Sequence, residues 1–324
     1  MQIRQVHAGV RFFLFLSMFT LTGMLFLPFS RAAEDEVLKP DEIRENIYDA
    51  VILTDEIRLM AGQRGAIYRS TDAGKTWTPV EGPSQEPLFS VTFAGLKKGW
   101  IGGNNGIILH TEDGGKHWEM QRSGEGKDIF AVHFADTTNG IAVGDWGLIL
   151  CTDDGGRTWQ DVSLEEDIIL YDARLTDEGT GWSVGEYGMV FMTEDGGKTW
   201  KKVTEGAGRS LFSCCYNEGV LYAGGIEGVI LYSEDQGQTW HEASNSNPES
   251  IYAIAVNGST GWAVGDVGTI LRTTDRGKTW EKMQLPMEFK LSWICALALD
   301  GSGKGFVAGS NGLHIQIDRR QIAW

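Results

Sequence analysis

The stretch Thr193-Glu194-Asp195-Gly196-Gly197-Lys198-Thr199-Trp200 has five near-copies elsewhere in the chain. The six copies end at Trp77, Trp118, Trp159, Trp200, Trp240 and Trp280. Successive tryptophans are therefore 41, 41, 41, 40 and 40 residues apart. A fixed period near 40 residues in a chain of short apolar runs indicates a repeat architecture.

The copies follow the pattern S/T-x-D-x-G-x-T-W, known as the Asp box, with His117 in place of the threonine in the second copy. Its aspartate can accept hydrogen bonds from turn amides, and its glycine permits a positive φ. The tryptophan begins the next strand and fills the space between neighbouring sheets. We therefore predict a structural role for the box aspartates, which are Asp72, Asp113, Asp154, Asp195, Asp235 and Asp275.

Seven apolar segments with related sequences precede the boxes and the chain end. They cover residues 47–52, 88–93, 129–134, 170–175, 211–216, 251–256 and 294–299. Each is followed by a second strand, a G-x-x-G turn and a third strand, and the box then turns into a fourth. This pattern predicts an all-β, seven-bladed β-propeller of four-stranded antiparallel blades with Asp-box turns.

The two ends of the predicted propeller depart from the repeat. The seventh unit has lost its box and ends at Trp324, which takes the place of the box tryptophan. We therefore expect the segment around Asp35 to Lys39 to pair with the last blade and close the ring. The predicted boundaries are a leader over 1–32, a linker over 33–46 and the propeller over 47–324.

The first 32 residues have the features of an export signal. Arg4 and Arg11 precede an apolar run from Phe12 to Leu27, and Ser30-Arg31-Ala32 is an acceptable cleavage site. This pattern matches a secretory signal, with retention as an N-terminal anchor as the alternative. The expected location is the periplasm, either free or attached to the inner membrane.

Charge and motifs exclude several classes of function. The formal net charge of −16 disfavours nucleic-acid binding, which needs a basic surface. The four cysteines have no metal-ligand spacing, and we predict neither a metal nor a cofactor. Gly181-Trp182-Ser183-Val184-Gly185 resembles a nucleophile elbow, but no helix is expected after it.

Two sets of residues are candidates for a binding site. Asp49, His133, Asp172 and Arg174 lie on innermost strands and could form a polar cluster near the central channel. This cluster could be a ligand site or an ion pair that fills the channel.

The second set lies on the G-x-x-G turns and consists of Asp145, Trp146, Glu186, Tyr187 and Asp266. Exposed aromatic residues surrounded by charge are typical of interface hot spots. Packing of these aromatic residues against the next blade is the alternative.

The unit I/L-F/Y-x-x-x-F…G-W-x-V-G-x-x-G-x-I-L-x-T-x-D-G-G-x-T-W resembles the photosystem II stability/assembly factor family over about residues 47–324. The resemblance implies an exported seven-bladed propeller without enzymatic activity that binds membrane-protein subunits during assembly. Photosynthetic members of that family carry an arginine patch, whereas this chain is strongly acidic. This departure argues against a photosystem client and is compatible with a scaffold role.

Asp boxes also occur in sialidases, so glycan binding or glycoside hydrolysis is the alternative function. Sialidases resemble one another in an R-I-P motif and an arginine triad, neither of which is found here. Retaining hydrolysis needs two carboxylates about 5 Å apart, but Asp49 and Asp172 are expected on well-separated blades. We therefore expect a non-enzymatic scaffold that binds a membrane protein or complex of the cell envelope. Its membrane association is expected to come through that partner or through an uncleaved signal anchor.

Overall fold

The computed structural model describes residues 37–124, 126–204, 208–318 and 322–323. The expected export signal and Trp324 lie outside the described residues. No helix in the described ranges is both long and apolar enough to span a membrane. The strands form seven four-stranded antiparallel sheets, each built from consecutive strands of the chain. The predicted seven-bladed β-propeller is thus confirmed.

The strands of the first four blades, in chain order, are β1 (Ile47–Ile52), β2 (Arg58–Gly62), β3 (Ile67–Ser70) and β4 (Thr78–Pro79) in blade 1; β5 (Leu88–Ala94), β6 (Lys98–Gly103), β7 (Ile107–Thr111) and β8 (Glu119–Arg122) in blade 2; β9 (Ile129–Phe134), β10 (Gly140–Gly144), β11 (Ile149–Thr152) and β12 (Gln160–Asp161) in blade 3; and β13 (Leu170–Leu175), β14 (Gly181–Gly185), β15 (Val190–Thr193) and β16 (Lys201–Thr204) in blade 4.

The strands of the last three blades are β17 (Leu211–Asn217), β18 (Val220–Gly225), β19 (Ile230–Ser233) and β20 (His241–Glu242) in blade 5; β21 (Ile251–Asn257), β22 (Thr260–Gly265), β23 (Ile270–Thr273) and β24 (Glu281–Lys282) in blade 6; and β25 (Ile294–Leu299), β26 (Gly305–Gly309), β27 (His314–Ile317) and β28 (Ile322–Ala323) in blade 7.

Short 3-10 helices are the only helical elements of the described residues. They are Pro40–Glu42, Gln63–Gly65, Asn104–Gly106, Asp145–Gly147, Glu186–Gly188, Ile226–Gly228, Met287–Phe289 and Ser310–Gly312. Six of them connect the second strand of a blade to its third, and residues 266–268 make the same connection in blade 6 as a turn. We call these seven connections the second turns, and the connections between third and fourth strands the third turns.

Side-chain hydrogen bonds fix the third turns of blades 1 to 6. In blade 4, Asp195 Oδ1 accepts hydrogen bonds from Thr193 Oγ1 at 2.8 Å and from the Thr199 amide at 2.9 Å. The Gly197 amide donates to Thr193 Oγ1 at 3.0 Å. Equivalent bonds from Thr239 and Ser233 lower the pKa of Asp235 to about 2. These carboxylates therefore stay ionised and hold their turns together at neutral pH.

Aromatic side chains of second strands tie these turns to the preceding blade. Trp100 Nε1 donates a hydrogen bond to the Gly155 carbonyl of blade 3 at 3.1 Å. Trp182 Nε1 donates to the Gln236 carbonyl of blade 5 at 2.9 Å. Both tryptophans are almost fully buried. The third turn of one blade is thus also a hydrogen-bond acceptor for its neighbour.

Second turns make the corresponding contacts at the opposite end of the blades. The Asn105 amide of blade 2 donates to Asp128 Oδ1, which directly precedes the first strand of blade 3. The Asn311 amide of blade 7 donates to Asn46 Oδ1, which directly precedes the first strand of blade 1. The ring is therefore closed by the type of contact that joins other neighbouring blades.

The segment before blade 1 lies at this seam, but it pairs differently from our expectation. Leu38 forms an antiparallel bridge with Trp77 of blade 1, with both backbone hydrogen bonds at 2.8 Å. The described part of the segment thus pairs with the first blade rather than the last. Ile43 is buried in one cluster with Trp77 and with Phe306 of blade 7. In the described residues, side-chain packing across the seam takes the place of the predicted pairing with the last blade.

Replacing Gly312 by alanine should destabilise the propeller more than a matched replacement of Gly95. Both glycines have a positive φ, which costs other residues roughly 1–2 kcal/mol. A Cβ atom at Gly312 would also overlap the Ile43 carbonyl, whereas one at Gly95 meets nothing within 4 Å. Overpacking of this kind adds about 1–3 kcal/mol. Urea denaturation measures both losses, and equal losses would show that the Ile43 contact contributes nothing to stability.

Candidate functional site

A β-bulge occurs at the second residue of every first strand. In blade 1, Ile47 pairs with Gly62 and Asp49 pairs with Ala61, which leaves Tyr48 as the extra residue. Register shifts at the same place occur in the other six blades. Bulges of this kind re-aim a side chain and increase the local twist. Here the re-aimed residue is aromatic in six blades and Cys295 in blade 7.

These aromatic residues form a belt on the innermost strands. Phe89 lies between Tyr48 and Phe130, with ring centroids 5.7 and 5.5 Å away. In blade 7 the ring comes from Trp293, which stacks on Tyr48 at 6.0 Å across the seam. The belt consists of Trp293, Tyr48, Phe89, Phe130, Tyr171, Phe212 and Tyr252. Contacts from ring to ring thus follow the blades around the propeller axis.

The third residue of several first strands is polar and bonds to backbone amides. Asp49 accepts hydrogen bonds from its neighbour Ala50 and from Val91 of blade 2, each at 2.8 Å. Asp172 accepts hydrogen bonds from the amides of Ala173 and of Cys214 in blade 5, at 2.8 and 2.9 Å. These carboxylates therefore satisfy amides on the free inner edges of two adjacent sheets.

The structure brings Asp172 and Arg174 into direct contact. Arg174 Nη1 lies 2.7 Å from Asp172 Oδ1 and 2.9 Å from the Ala173 carbonyl. Burial lowers the pKa of Arg174, but the Asp172 carboxylate outweighs this and holds the pKa above its usual value. The ion pair is half-buried on the Arg174 side and nearly buried on the Asp172 side.

His133 and Asp49 lie on the innermost strands of blades 3 and 1. His133 Nδ1 accepts a hydrogen bond from the Leu175 amide at 3.2 Å, so this nitrogen carries no proton. Burial, together with the charge of Arg174, lowers the pKa of His133 to about 3. Burial raises the pKa of Asp49 to about 7, although the Val91 and Ala50 amides oppose the shift. The four predicted channel residues thus all bond to backbone, and only Asp172 and Arg174 bond to each other.

The second turns separate the predicted surface residues into two groups. The first residue of each turn is half-buried, and the second is exposed in every blade. Glu186, the first residue of the blade 4 turn, accepts a hydrogen bond from the Ile169 amide at 3.0 Å. Asp266, the first residue of the blade 6 turn, accepts one from the Val267 amide at 2.9 Å. Asp145 has the same position in blade 3. The acidic first residues thus lie in the body of the turns and leave the second residues as the accessible ones.

Trp146 and Tyr187 are the second residues of the turns in blades 3 and 4. Their exposed fractions are 46% and 45%, and their φ angles are +57° and +58°. Bulky residues are uncommon in this left-handed region, and such strain is concentrated at functional sites. The structure therefore presents two large aromatic side chains to solvent on neighbouring turns.

Sequence reasoning missed a second group of exposed apolar residues. Val267 is the second residue of the blade 6 turn and is 40% exposed, while Met287 and Leu291 are 77% and 90% exposed. The last two lie in the connection from blade 6 to blade 7. The only sequence signal was that this connection, residues 283–293, is the longest between two blades. We call Val267, Met287 and Leu291 the second apolar cluster.

The second turns and the connections between blades form one surface. The Gly147 amide donates to the Ile168 carbonyl and the Gly268 amide to the Ser292 carbonyl, each at 2.6 Å. We call this surface the turn face; the third turns lie at the opposite ends of the blades. Among the described residues, no three His, Cys, Asp or Glu side chains are grouped as metal ligands. The geometry defines a β-propeller with a candidate protein-binding surface on its turn face.

Comparison with known families agrees with this class of protein. The model of the family described as photosynthesis system II assembly factor YCF48 matches residues 36–124, 124–209, 158–248 and 217–301. These matches cover well over half of the chain. The protein therefore belongs to the YCF48 assembly factor family.

Several solved propellers have the same fold. YCF48 bound to a D1 peptide is 21% identical, covering 87% of this chain and 94% of that chain with a TM-score of 0.71. YCF48 from Cyanidioschyzon merolae is 18% identical, covering 86% and 97% with a TM-score of 0.70. The WD40 propeller domain of Doa1 is 15% identical, covering 88% and 96% with a TM-score of 0.71. No curated protein matches the chain.

His133 should make the stability of the propeller depend on pH. Its pKa of about 3 in the folded protein lies below the usual histidine value of 6.5. Its contribution is therefore fully present above about pH 6.5 and is lost as the pH falls toward 3, by about 2 kcal/mol at pH 5. His133→Gln keeps an acceptor for the Leu175 amide but cannot titrate. The variant should thus lose less stability than the wild type between pH 7.5 and 5.

Urea denaturation of both proteins at the two pH values measures this difference. Asp49 acts with the opposite sign, because its raised pKa favours the folded state at low pH. It is present in both proteins, so its effect cancels in the comparison. The same pH dependence in the wild type and in His133→Gln would contradict the assignment.

Proposed function

We propose that this protein is an exported, non-catalytic scaffold that binds a membrane protein of the cell envelope through its turn face. Membership of the YCF48 family supports an assembly-factor role. The observation that carries the proposal is the exposure of Trp146 and Tyr187 on adjacent turns. Large aromatic residues are typical of the energetically dominant positions in protein interfaces.

The backbone strain at these two positions supports the same interpretation. Asn105 and Asn311 have the same left-handed conformation in other blades, where asparagine tolerates it better than most residues. Trp146 and Tyr187 adopt this conformation while 46% and 45% of their surfaces stay exposed. A function at the surface accounts for this arrangement better than folding does.

The geometry of the inner strands supports a non-catalytic role. Most glycosidases need two carboxylates, one as the acid and the other as nucleophile or base. Asp49 and Asp172 instead each accept two backbone amides, and Asp172 also binds Arg174. Both carboxylates are therefore engaged in holding adjacent blades together.

The sequence and the related structures support the location and the type of partner. The apolar run Phe12 to Leu27 has the composition of an export signal. One solved YCF48 structure is bound to a D1 peptide. We extend peptide binding to this chain, with an envelope membrane protein as the source of the peptide. The net charge of −16 favours a client with a basic surface.

Replacing both Trp146 and Tyr187 by alanine should abolish partner binding and leave the fold intact. Truncation of interface hot spots costs about 2 kcal/mol or more each. The combined loss should therefore reduce recovery of cross-linked membrane proteins at least tenfold. Affinity purification of the tagged protein from native membranes, followed by mass spectrometry, measures this recovery.

The matched control is the pair Leu96→Ala and Met120→Ala. Both residues are exposed apolar residues, at 61% and 52%, and neither belongs to a second turn or to a connection between blades. Unchanged partner recovery with the Trp146 and Tyr187 variant would refute the assignment of the turn face. Hydrolysis of a panel of fluorogenic glycosides by the wild type would refute the non-catalytic role.

A further inference from the structure

The connection between blades 6 and 7 alternates between buried and exposed apolar residues. Leu285 is 8% exposed and belongs to the core cluster of blades 6 and 7, against which Phe289 also packs. Trp293 stacks on Tyr48 in the aromatic belt. Between these anchors, Met287 and Leu291 are 77% and 90% exposed. The connection is thus held to the body at three points while two large apolar side chains project from it.

Backbone contacts hold the blade 6 turn to the same connection. The Gly268 amide donates to the Ser292 carbonyl at 2.6 Å. The neighbouring residue, Val267, has a φ of +49° and is 40% exposed. A β-branched residue in this region is a genuine conformational outlier. Val267 is thus an exposed apolar residue on a turn that is bonded to the connection carrying Met287 and Leu291.

The charged residues around this cluster are mainly acidic. The turns and connections of blades 5 and 6 carry Glu227, Glu249, Asp266 and Glu288, against two bases: the exposed Lys290, and Lys282, whose ammonium donates to Asn247 of the same surface at 3.0 Å. Glu227 and Glu288 are exposed. The chain as a whole has a formal net charge of −16. A partner at this surface therefore needs positive charge as well as apolar side chains.

We infer that the second apolar cluster, Val267, Met287 and Leu291, binds a positively charged peptide segment of the partner that carries large apolar side chains. This inference rests on the proposed function and specifies the chemistry of its client. The apolar side chains of the segment pack against Met287 and Leu291, and its lysine or arginine residues face Glu227 and Glu288. The cluster is a second contact region on the turn face, on blades other than those of Trp146 and Tyr187.

Three synthetic peptides of equal length test this chemistry with the full propeller. The first combines lysine with leucine, the second combines glutamate with leucine, and the third combines lysine with serine. Fluorescence anisotropy should show binding of the lysine–leucine peptide at least tenfold tighter than of either other peptide. Binding should weaken as salt rises, because exposed charges are screened. Equal binding of the glutamate–leucine peptide would overturn the inference.

Matched variants locate the site. Met287→Ser with Leu291→Ser should weaken binding of the lysine–leucine peptide at least tenfold, since both side chains are exposed and their loss leaves the core intact. Glu227→Gln with Glu288→Gln should weaken it severalfold and reduce its salt dependence. The controls are Leu96→Ser, and Asp177→Asn with Glu178→Gln, which are exposed residues between first and second strands. An equal loss in the controls would overturn the assignment of the site.

Partner recovery from native membranes separates this inference from the proposed function. If the Met287 and Leu291 variant recovers the partner normally while the Trp146 and Tyr187 variant does not, the second cluster is not a contact region and the scaffold role stands. If neither variant loses the partner, the turn face is not the binding surface and both proposals fail. Loss of recovery in both variants supports both.

Discussion

The third turns of blades 1 to 6 each depend on an ionised aspartate, and the contacts between neighbouring blades depend on those turns. The carboxylate gathers the turn amides and hydroxyls, as Asp195 does with Thr193 and Thr199. The fixed turn then offers a backbone carbonyl to the preceding blade, where Trp182 or Trp100 donates to it from a fully packed position. A single side chain type thus supports both the local turn and the contact between sheets. This double use explains why the motif recurs at a constant spacing.

On the innermost strands, carboxylates also accept hydrogen bonds from backbone amides. A propeller leaves one free edge on the first strand of each blade, and unpaired amides on that edge are costly if they are buried. Asp49 and Asp172 each bond two of these amides, one in their own blade and one in the next. Polar residues near the axis are therefore explained by the backbone of the fold. Burial in this surface accounts for the raised pKa of Asp49 and the lowered pKa of His133.

Much of the fold could be predicted from the sequence because each repeat specifies the same local geometry. The spacing of the tryptophans gives the repeat length, the seven apolar segments give the number of blades, and the glycines of the second turns mark the ends of the second strands. The residues of the aromatic belt are also visible in the sequence, since the second residue of nearly every first strand is Phe or Tyr.

The closure of the ring could not be predicted in the same way, because the bridge between Leu38 and Trp77 belongs to no repeat. The backbone bonds of Glu186 and Asp266, two of the predicted surface residues, could not be obtained from the motif either. Exposure could not be obtained from the pattern, since Met287 and Leu291 lie in a connection without counterparts in other blades.

The proposed function separates folding and binding between the two ends of the blades. The third turns have a nearly invariant sequence, because their carboxylates, hydroxyls and glycines all take part in holding the sheets together. The second turns need only their glycines and the half-buried first residue, so their second residue is free to vary. It is Arg64, Asn105, Trp146, Tyr187, Glu227, Val267 or Asn311 in the seven blades. A position whose side chain the fold leaves unconstrained, repeated seven times on one surface, is where a family of common architecture can acquire different clients. In this chain the variation has placed apolar side chains among acidic ones, which is the reason to expect a basic client.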